Sequence, residues 1–572
     1  MKTMMKMFKG LLAGCLLFSV TLQAQVPNYP KGYFRSPLNV PMQLVANFGE
    51  LRTNHWHMGL DIRTQQRENL PVYAAAGGYV ARIKIESFGF GRAIYINHPN
   101  GLTTLYAHLN DFSPALEKWV KEQQYNQQSW EVELTPPPSL FPLQKGEFFA
   151  YSGNTGGSMG PHVHFEIRET ATDKCLNPLL FDFPIADAVP PAVTRLAMYD
   201  RNRSVYAQSP QVIGVRKTGT GQYALSKSNT IKVGTDRISF SLGAVDFFTG
   251  STNPNGIYSA RILMDDVLQS EFILDSIGYD ETRYMNAHID YRYEALAGPY
   301  LQHLSRMPGD PTGVYTPTPG EGVLQLSDTA LHTVRIEVRD AYQNLSTLSF
   351  GVQYDASLAP AITAFGEKWL PQNVNVFEAA GFEVFSTEST LYDTVNVAYN
   401  ANNAAYASSS TALSPLHTFL HTSIPSHDSI TVRVKITSPI SEEEKERVVI
   451  KSVSGSRTVV SKAHLQNDWA TAKFRQFGSF QAFLDTVPPT INTPLTNLTK
   501  ATRLVFTPKD NFNEIKSFRA EVDGQWLRFT NDKGKVWIYK FDEKFPAGEH
   551  ELKVTVEDEA GNITTRSWTV TR

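Results

Sequence analysis

The sequence predicts a mainly β protein built from several modules, and three observations carry that reading. A chain of 572 residues exceeds what one hydrophobic core organises. Its 37 Gly and 33 Pro punctuate short runs of alternating apolar and polar residues, the texture of strands and turns and not of long helices. Two landmarks recur far apart: Asp187-Ala188-Val189-Pro190-Pro191 returns as Asp485-Thr486-Val487-Pro488-Pro489, and Asp340-Ala341-Tyr342-Gln343-Asn344 returns as Asp558-Glu559-Ala560-Gly561-Asn562.

Taken from the start, Lys2, Lys6 and Lys9 precede an apolar stretch from Leu11 to Leu22 that ends at Ala24. Residues 1–24 therefore read as a removable export signal, with the protein expected in the periplasm or cell envelope. Cys15 in Leu12-Ala13-Gly14-Cys15 offers a competing lipoprotein reading, disfavoured because the apolar run continues past the cysteine. The only other cysteine is Cys175, so no intrachain disulfide framework is expected in the mature chain. A formal net charge of −3 provides no basic footprint for nucleic acid.

Residues 25–185 read as an antiparallel β domain. Ala93–Asn97 and Thr103–Ala107 alternate as strands around Pro99-Asn100-Gly101, where Asn-Gly supplies the positive φ a tight hairpin needs. Pro114 to Gln128, with Leu116, Trp119 and Val120 at helical spacing, predicts a short helix. It belongs to an insertion, about residues 110–143, that also holds Pro136-Pro137-Pro138 and is otherwise read as loop.

Beyond residue 186 the expected units are 186–355, 356–485 and 486–572, two or three β-sandwich modules in all. In the first and last, each Pro-Pro entry stiffens the chain, and each Asp-x-x-x-Asn turn closes a hairpin back to Leu348–Phe350 or Ser567–Val570. The segment Val554 to Asn562 (VTVEDEAGN) resembles bacterial immunoglobulin-like modules. The middle unit is a β module of uncertain type, and its charged run Ser441 to Arg447 reads as a solvated turn or edge.

The chemistry concentrates in three histidine-bearing segments: His57-Met58-Gly59-Leu60-Asp61, Tyr106-Ala107-His108-Leu109 and His162-Val163-His164-Phe165-Glu166. On a strand, residues two apart share a face, so His162 and His164 project together while Val163 and Phe165 face the core. Asp61, four residues after His57 across Gly59, can fold back toward the same point. Two histidines and one carboxylate make a three-ligand zinc site with an open fourth position, the arrangement of catalytic zinc. Such a metal brings water to a pKa near 7.

His57-x-Gly59-x-Asp61, the Tyr106–Leu109 segment and His162-x-His164-Phe165-Glu166, in that order, resemble the lysostaphin-type (LytM-domain) zinc endopeptidases. The likeness spans roughly residues 45–170. It includes Pro71–Ala75 with Gly78, and Ser152–Gly156. The resemblance implies a duplicated hybrid-motif fold for the catalytic domain and one zinc ion on His57, Asp61 and His164. It also implies that His108 and His162 orient or deprotonate water and stabilise the oxyanion, on an amide of peptidoglycan stem peptides or cross-links, D-Ala-diaminopimelate in type, with glycyl bonds as the other possible target. The long insertion separates this chain from the compact family pattern and stands beside the cleft.

The other histidines and polar neighbours receive plainer readings. His98 in its hairpin and Tyr106 in its strand are structural, Glu166 holds a neighbouring histidine, and His55 supports the site or lines it. Asn54 is a candidate to cap the fourth metal position in a latent form. A rival reading of the whole chain is a non-hydrolytic wall-binding regulator or scaffold of cell-wall amidases; the complete set of five site residues weighs against it. The β modules are candidate surfaces for the wall or an envelope protein partner. Oligomeric state has no signature in the sequence.

Overall fold

The computed structural model describes residues 29–359, 366–402 and 410–572, and is mostly β. The expected export signal, Cys15, and Pro360 of the middle boundary lie outside the described residues. Among the described residues no helix is long and apolar enough to cross a membrane.

In the first part of the chain the strands β1 (Leu44–Ala46), β2 (Leu60–Arg63), β3 (Pro71–Tyr73), β4 (Gly78–Ile85), β5 (Arg92–Asn97), β6 (Leu102–Ala107) and β7 (Leu109–Phe112) lead into helix α1 (Pro114–Gln127). They are followed by β8 (Val132–Leu134), β9 (Phe148–Ser152) and β10 (His162–Glu169). The main antiparallel sheet runs β1-β2-β10-β6-β5-β4-β8, and β3-β9-β7 form a small second sheet. Alternation places Val163, Phe165, Ile167, Ile94, Ile96 and Tyr106 in one core. Ala93, Tyr95, Leu105 and Ala107 cluster separately with Phe90 on the other face. The Tyr106 hydroxyl is fully buried and accepts from the Ala75 amide at 2.8 Å, a packed position within the strand.

The β5–β6 hairpin pairs Asn97 with Thr103, as its pattern predicts. Only Gly101 of the Asn-Gly pair takes a positive φ (+79°); Asn100 instead accepts the Leu102 amide at its side-chain oxygen. Helix α1 starts with Pro114 at its first turn, buries Leu116, Val120 and Gln124 along one stripe, and stops at Gln128 in the left-handed region. The rest of the insertion corrects the expectation of a loop. Val132–Leu134 adds an edge strand to β4, and Pro142–Leu143 pairs with Gly78 and Tyr79. Strands of two or three residues are too short for periodicity to reveal.

Farther on, Leu331–Arg339 and Leu345–Tyr354 form the expected hairpin, with Ile336 opposite Leu348, and Glu549–Asp558 pairs with Ile563–Thr571 in the same way. Between them, residues 366–485 stack two sheets. One runs from Asn375–Ala379 through Phe382–Ser386, Ile430–Lys435 and Trp469–Phe474 to His464–Gln466; the other is centred on Gly478–Leu484. The charged run there forms a one-turn helix, Glu442–Lys445, because Ser441 and Glu444 close a capping box.

The modules are joined through their cores. Phe48, Trp56 and Met58 bury into the same apolar cluster as Leu274, Ile277 and Met285. Ser276–Ile277 pairs with Cys175–Leu176, extending the first sheet with a strand from the next module.

Candidate metal centre

The site forms where β2 and β10 run side by side, with Asp61 directly opposite His164 and Ala107 on the other flank of His164. His57 reaches the same point from the turn ahead of β2. That turn lies against β10 so closely that a Cβ on Gly59 would overlap the Phe165 carbonyl oxygen. Glycine in the His-x-Gly-x-Asp segment is thus a requirement of backbone approach.

Three atoms converge. His57 Nε2 lies 3.0 Å from Asp61 Oδ1 and 3.0 Å from His164 Nδ1, and His164 Nδ1 lies 2.9 Å from Asp61 Oδ1. All three residues are buried. These edges fall slightly inside the roughly 3.3 Å expected between ligands of a tetrahedral zinc with bonds near 2.0 Å.

The second nitrogen of each ring fixes the tautomer. His57 Nδ1–H donates to the Asn47 carbonyl at 2.7 Å, and His164 Nε2–H donates to Glu166 Oε1 at 2.8 Å. Two bare imidazole lone pairs and a carboxylate therefore face one another. A proton or a metal ion between them relieves the repulsion, and two ring nitrogens with one carboxylate oxygen are a donor set that fits a metal ion. Without a metal, a proton on His164 fills that role. Burial alone would lower the His164 pKa, but hydrogen bonds to Asp61 and Glu166 overcome it and hold it up at about 9. Burial likewise opposes ionisation of Asp61, yet the three histidines hold it well below the usual carboxylate range.

His108 and His162 stand at the rim of this cluster. Their ring centroids are 4.7 Å apart, His108 lies 5.9 Å from His164, and His162 Nε2 lies 3.4 Å from Asp61 Oδ1. His108 occupies the crossing from β6 to β7 with φ at +59°, an uncommon conformation for a side-chain-bearing residue. Its Nδ1–H donates to the Thr155 carbonyl at 2.8 Å, and His162 Nδ1–H donates to the Gly160 carbonyl at 2.8 Å. Burial, then the neighbouring His162 and His164, press the His108 pKa down to about 3 and keep the ring neutral.

The other candidate residues divide between support of this cluster and separation from it. His98 is buried between the Gly77 carbonyl and Thr104 Oγ1, a packed structural residue. His55 is exposed and turns to the Thr53 carbonyl. Asn54 is drawn off toward the next module, its carboxamide oxygen accepting from Asn286 at 3.0 Å, so the structure does not support a capping role for it. Glu166 does hold His164, and it also receives Arg168 Nε at 2.6 Å; the guanidinium holds the carboxyl down at about 2 against the effect of burial.

Two contributions had no motif to announce them. Arg52 Nη2 stands 3.4 Å from Asp61 Oδ2 and 3.1 Å from Glu50, placing a fixed cation beside the Asp61 carboxylate. The C-terminal module supplies Asp532, which accepts the Gly156 amide at 2.7 Å, and Lys533, which donates to the Ser158 carbonyl at 2.9 Å. The insertion meets that same module: Tyr125 bonds Asp542, and Gln124 and Gln128 accept from Arg528 and Arg519.

Residues 55–125 match Peptidase family M23, residues 368–485 match a Zu5-like domain, and residues 493–571 match a bacterial Ig-like domain. The chain is 36% identical over 118 residues to the DD-carboxypeptidase/endopeptidase Mpg of Neisseria meningitidis serogroup B, covering 21% of each protein. It is 29% identical over 160 residues to an uncharacterized metalloprotease of Haemophilus influenzae, covering 27% of this chain and 28% of that one. The match thus spans about a fifth to a quarter of these relatives' length. Among solved structures, the catalytic domain of the prophage-encoded M23 protein EnpA from Enterococcus faecalis shares 20% identity, covering 26% of this chain and 96% of that one, with a TM-score of 0.20. A zinc containing peptidase from Vibrio cholerae shares 22% identity, covering 27% of this chain and 41% of that one, also with a TM-score of 0.20. The chain therefore carries a peptidase family M23 domain of the LytM type, followed by a bacterial Ig-like domain.

Proposed function

We propose that this protein is an exported, zinc-dependent endopeptidase that hydrolyses amide bonds in peptidoglycan stem peptides or cross-links, D-Ala-diaminopimelate in type. The observation that carries the reading is the convergence of His57 Nε2, Asp61 Oδ1 and His164 Nδ1, with two further histidines at the rim. We assign the peptidase domain to residues 25–185 and treat 186–355, 356–485 and 486–572 as modules that present it to the wall.

His57, Asp61 and His164 would hold the zinc, which supplies Lewis-acid polarisation of the scissile carbonyl and acidifies water. The protein's own residues do the rest. With Nδ1–H committed to Thr155 O, neutral His108 keeps Nε2 as a proton acceptor, and His162 is held in the same tautomer by Gly160 O. A proton accepted at either Nε2 produces an imidazolium that Asp61 stabilises and that can then protonate the departing amine. While charged, that ring also favours the developing oxyanion. All five residues are present, which favours hydrolysis over a purely scaffolding role.

The test is incubation of the mature protein with peptidoglycan, with and without a zinc chelator, followed by mass measurement of the released muropeptides. Release that chelation abolishes and zinc restores is the expected result, and the product masses name the bond. Intact wall with a fully zinc-loaded protein overturns the reading.

A further inference from the structure

The landmarks that repeat along the sequence come together in space as two matching carboxylate trios. In the first Ig-like unit Asp187, Asp246 and Asp340 bring one oxygen each within 4.8 Å of one another; in the last, Asp485, Asp510 and Asp558 do the same. Each trio takes one aspartate from the module entry ahead of Pro-Pro, one after a strand, and one from the Asp-x-x-x-Asn turn. The supporting bonds repeat too. Asn344 caps both oxygens of Asp340 through its amide and side chain at 2.9 and 2.7 Å, and Asn562 caps Asp558 at 2.8 and 2.9 Å. Ser346 donates to the Pro191 carbonyl just as Thr564 donates to the Pro489 carbonyl, both at 2.5 Å.

Other oxygens of the trios are capped as well, Asp485 Oδ1 by the Val487 amide at 3.2 Å and by Asn511 at 2.9 Å, but three are buried without a partner. Asp246 is 2% exposed and its Oδ1 has no hydrogen-bond partner. Asp187 Oδ2 and Asp510 Oδ1 are likewise buried without a partner. An unpartnered buried carboxylate oxygen aimed at two more carboxylates is strongly unfavourable by itself. Burial and then the charges of Asp340 and Asp187 drive the Asp246 pKa up to about 8.

We propose that each trio is a calcium site, so that the chain binds two calcium ions apart from its zinc. The all-oxygen, all-carboxylate donor set selects a hard cation over zinc, which prefers nitrogen and sulfur. Donors drawn from three separate loops suit the adaptable, larger shell of calcium better than the rigid octahedron of magnesium. The position gives each ion a purpose. Phe248, two residues after Asp246, packs with Tyr342 against the peptidase core, and Phe512, two after Asp510, packs on Phe483 of the middle unit. Each cation would tie a module's entry to the loops that rest on the preceding module, stiffening both joints.

The test uses the full-length mature protein, stripped of divalent ions and reloaded with zinc alone, in equilibrium dialysis against radiolabelled calcium. Two ions bound per chain are expected for the wild type, one for Asp246→Asn, one for Asp510→Asn and none for the double variant. Melting curves guard against misfolding. Calcium should raise the wild-type melting temperature and leave the double variant's unchanged, while in calcium-free buffer the double variant melts no lower than the wild type. No calcium uptake by the wild type, uptake of two ions by the double variant, or uptake of magnesium in preference to calcium overturns the proposal.

Discussion

Gly156 donates its amide hydrogen to the carboxylate of Asp532, 376 positions away in the chain. The contact falls on the loop whose Thr155 carbonyl orients His108, and Lys533 holds the same loop at Ser158. A site on the first module is therefore braced by the last. Simultaneous Asp532→Ala and Lys533→Ala substitution should lower kcat about tenfold, because small misplacement of a catalytic group is costly. Zinc content, measured by elemental analysis, should stay at the wild-type value.

The two classes of histidine should separate in a metal assay. His164→Ala removes a donor from the buried trio and should abolish stoichiometric zinc binding together with activity. His162→Ala should retain the metal while turnover falls by about 10²- to 10⁴-fold. Zinc stoichiometry and steady-state kinetics on the same preparations distinguish them.

Glu166 links two buried groups, His164 and Arg168, and is itself fully buried. Glu166→Gln should weaken zinc affinity about 10- to 100-fold by loosening the His164 tautomer. It also leaves Arg168 without its main counter-charge, at a cost of about 3–5 kcal/mol in stability. Competitive zinc titration and chemical denaturation read the two effects separately.

How far the sequence reached follows from the range of each interaction. The alternation of His162 to Phe165 and the four-residue return from His57 to Asp61 are local, so residue spacing suggests each pairing, while the union of the two pairs at one centre was implied by the family resemblance. The Asp-x-x-x-Asn hairpins were legible for the same reason. Arg52 beside Asp61 has no periodic signature, since its approach depends on how Leu51–Arg52 pairs with His55–Trp56. Asp532 and Lys533 were beyond reach because nothing in a surface turn reveals which module it will touch. The short strands Val132–Leu134 and Ser276–Ile277 exist only through their partners, and their own side chains carry too little pattern to announce them.

Gly59 sets the steric limit of the site. A methyl group there would meet the Phe165 carbonyl, which belongs to β10 and cannot move without shifting His164. Gly59→Ala should therefore lower zinc affinity at least tenfold and destabilise the domain by about 1–3 kcal/mol, as overpacking does. A zinc titration that matches the wild type would show that the turn relaxes without disturbing the ligands.

Cys175 reports on the joint between the peptidase domain and the module that follows. It is fully buried, pairs with Ile277 across that joint, and its thiol lies 3.5 Å from Glu166 Oε2. Burial first, and the Glu166 charge second, push the thiol well above its usual pKa, so thiolate is scarce at neutral and mildly alkaline pH alike. The native protein should therefore resist thiol reagents at pH 8 and react fully once denatured. Because the Ser276–Ile277 strand covers the cysteine, a variant that breaks that pairing, such as Ile277→Pro, should expose it while the rest of the chain stays folded. Its labelling rate should rise at least tenfold, with near-ultraviolet circular dichroism reporting retained structure. An unchanged rate in a folded Ile277→Pro protein would mean that burial within the peptidase domain alone protects the thiol.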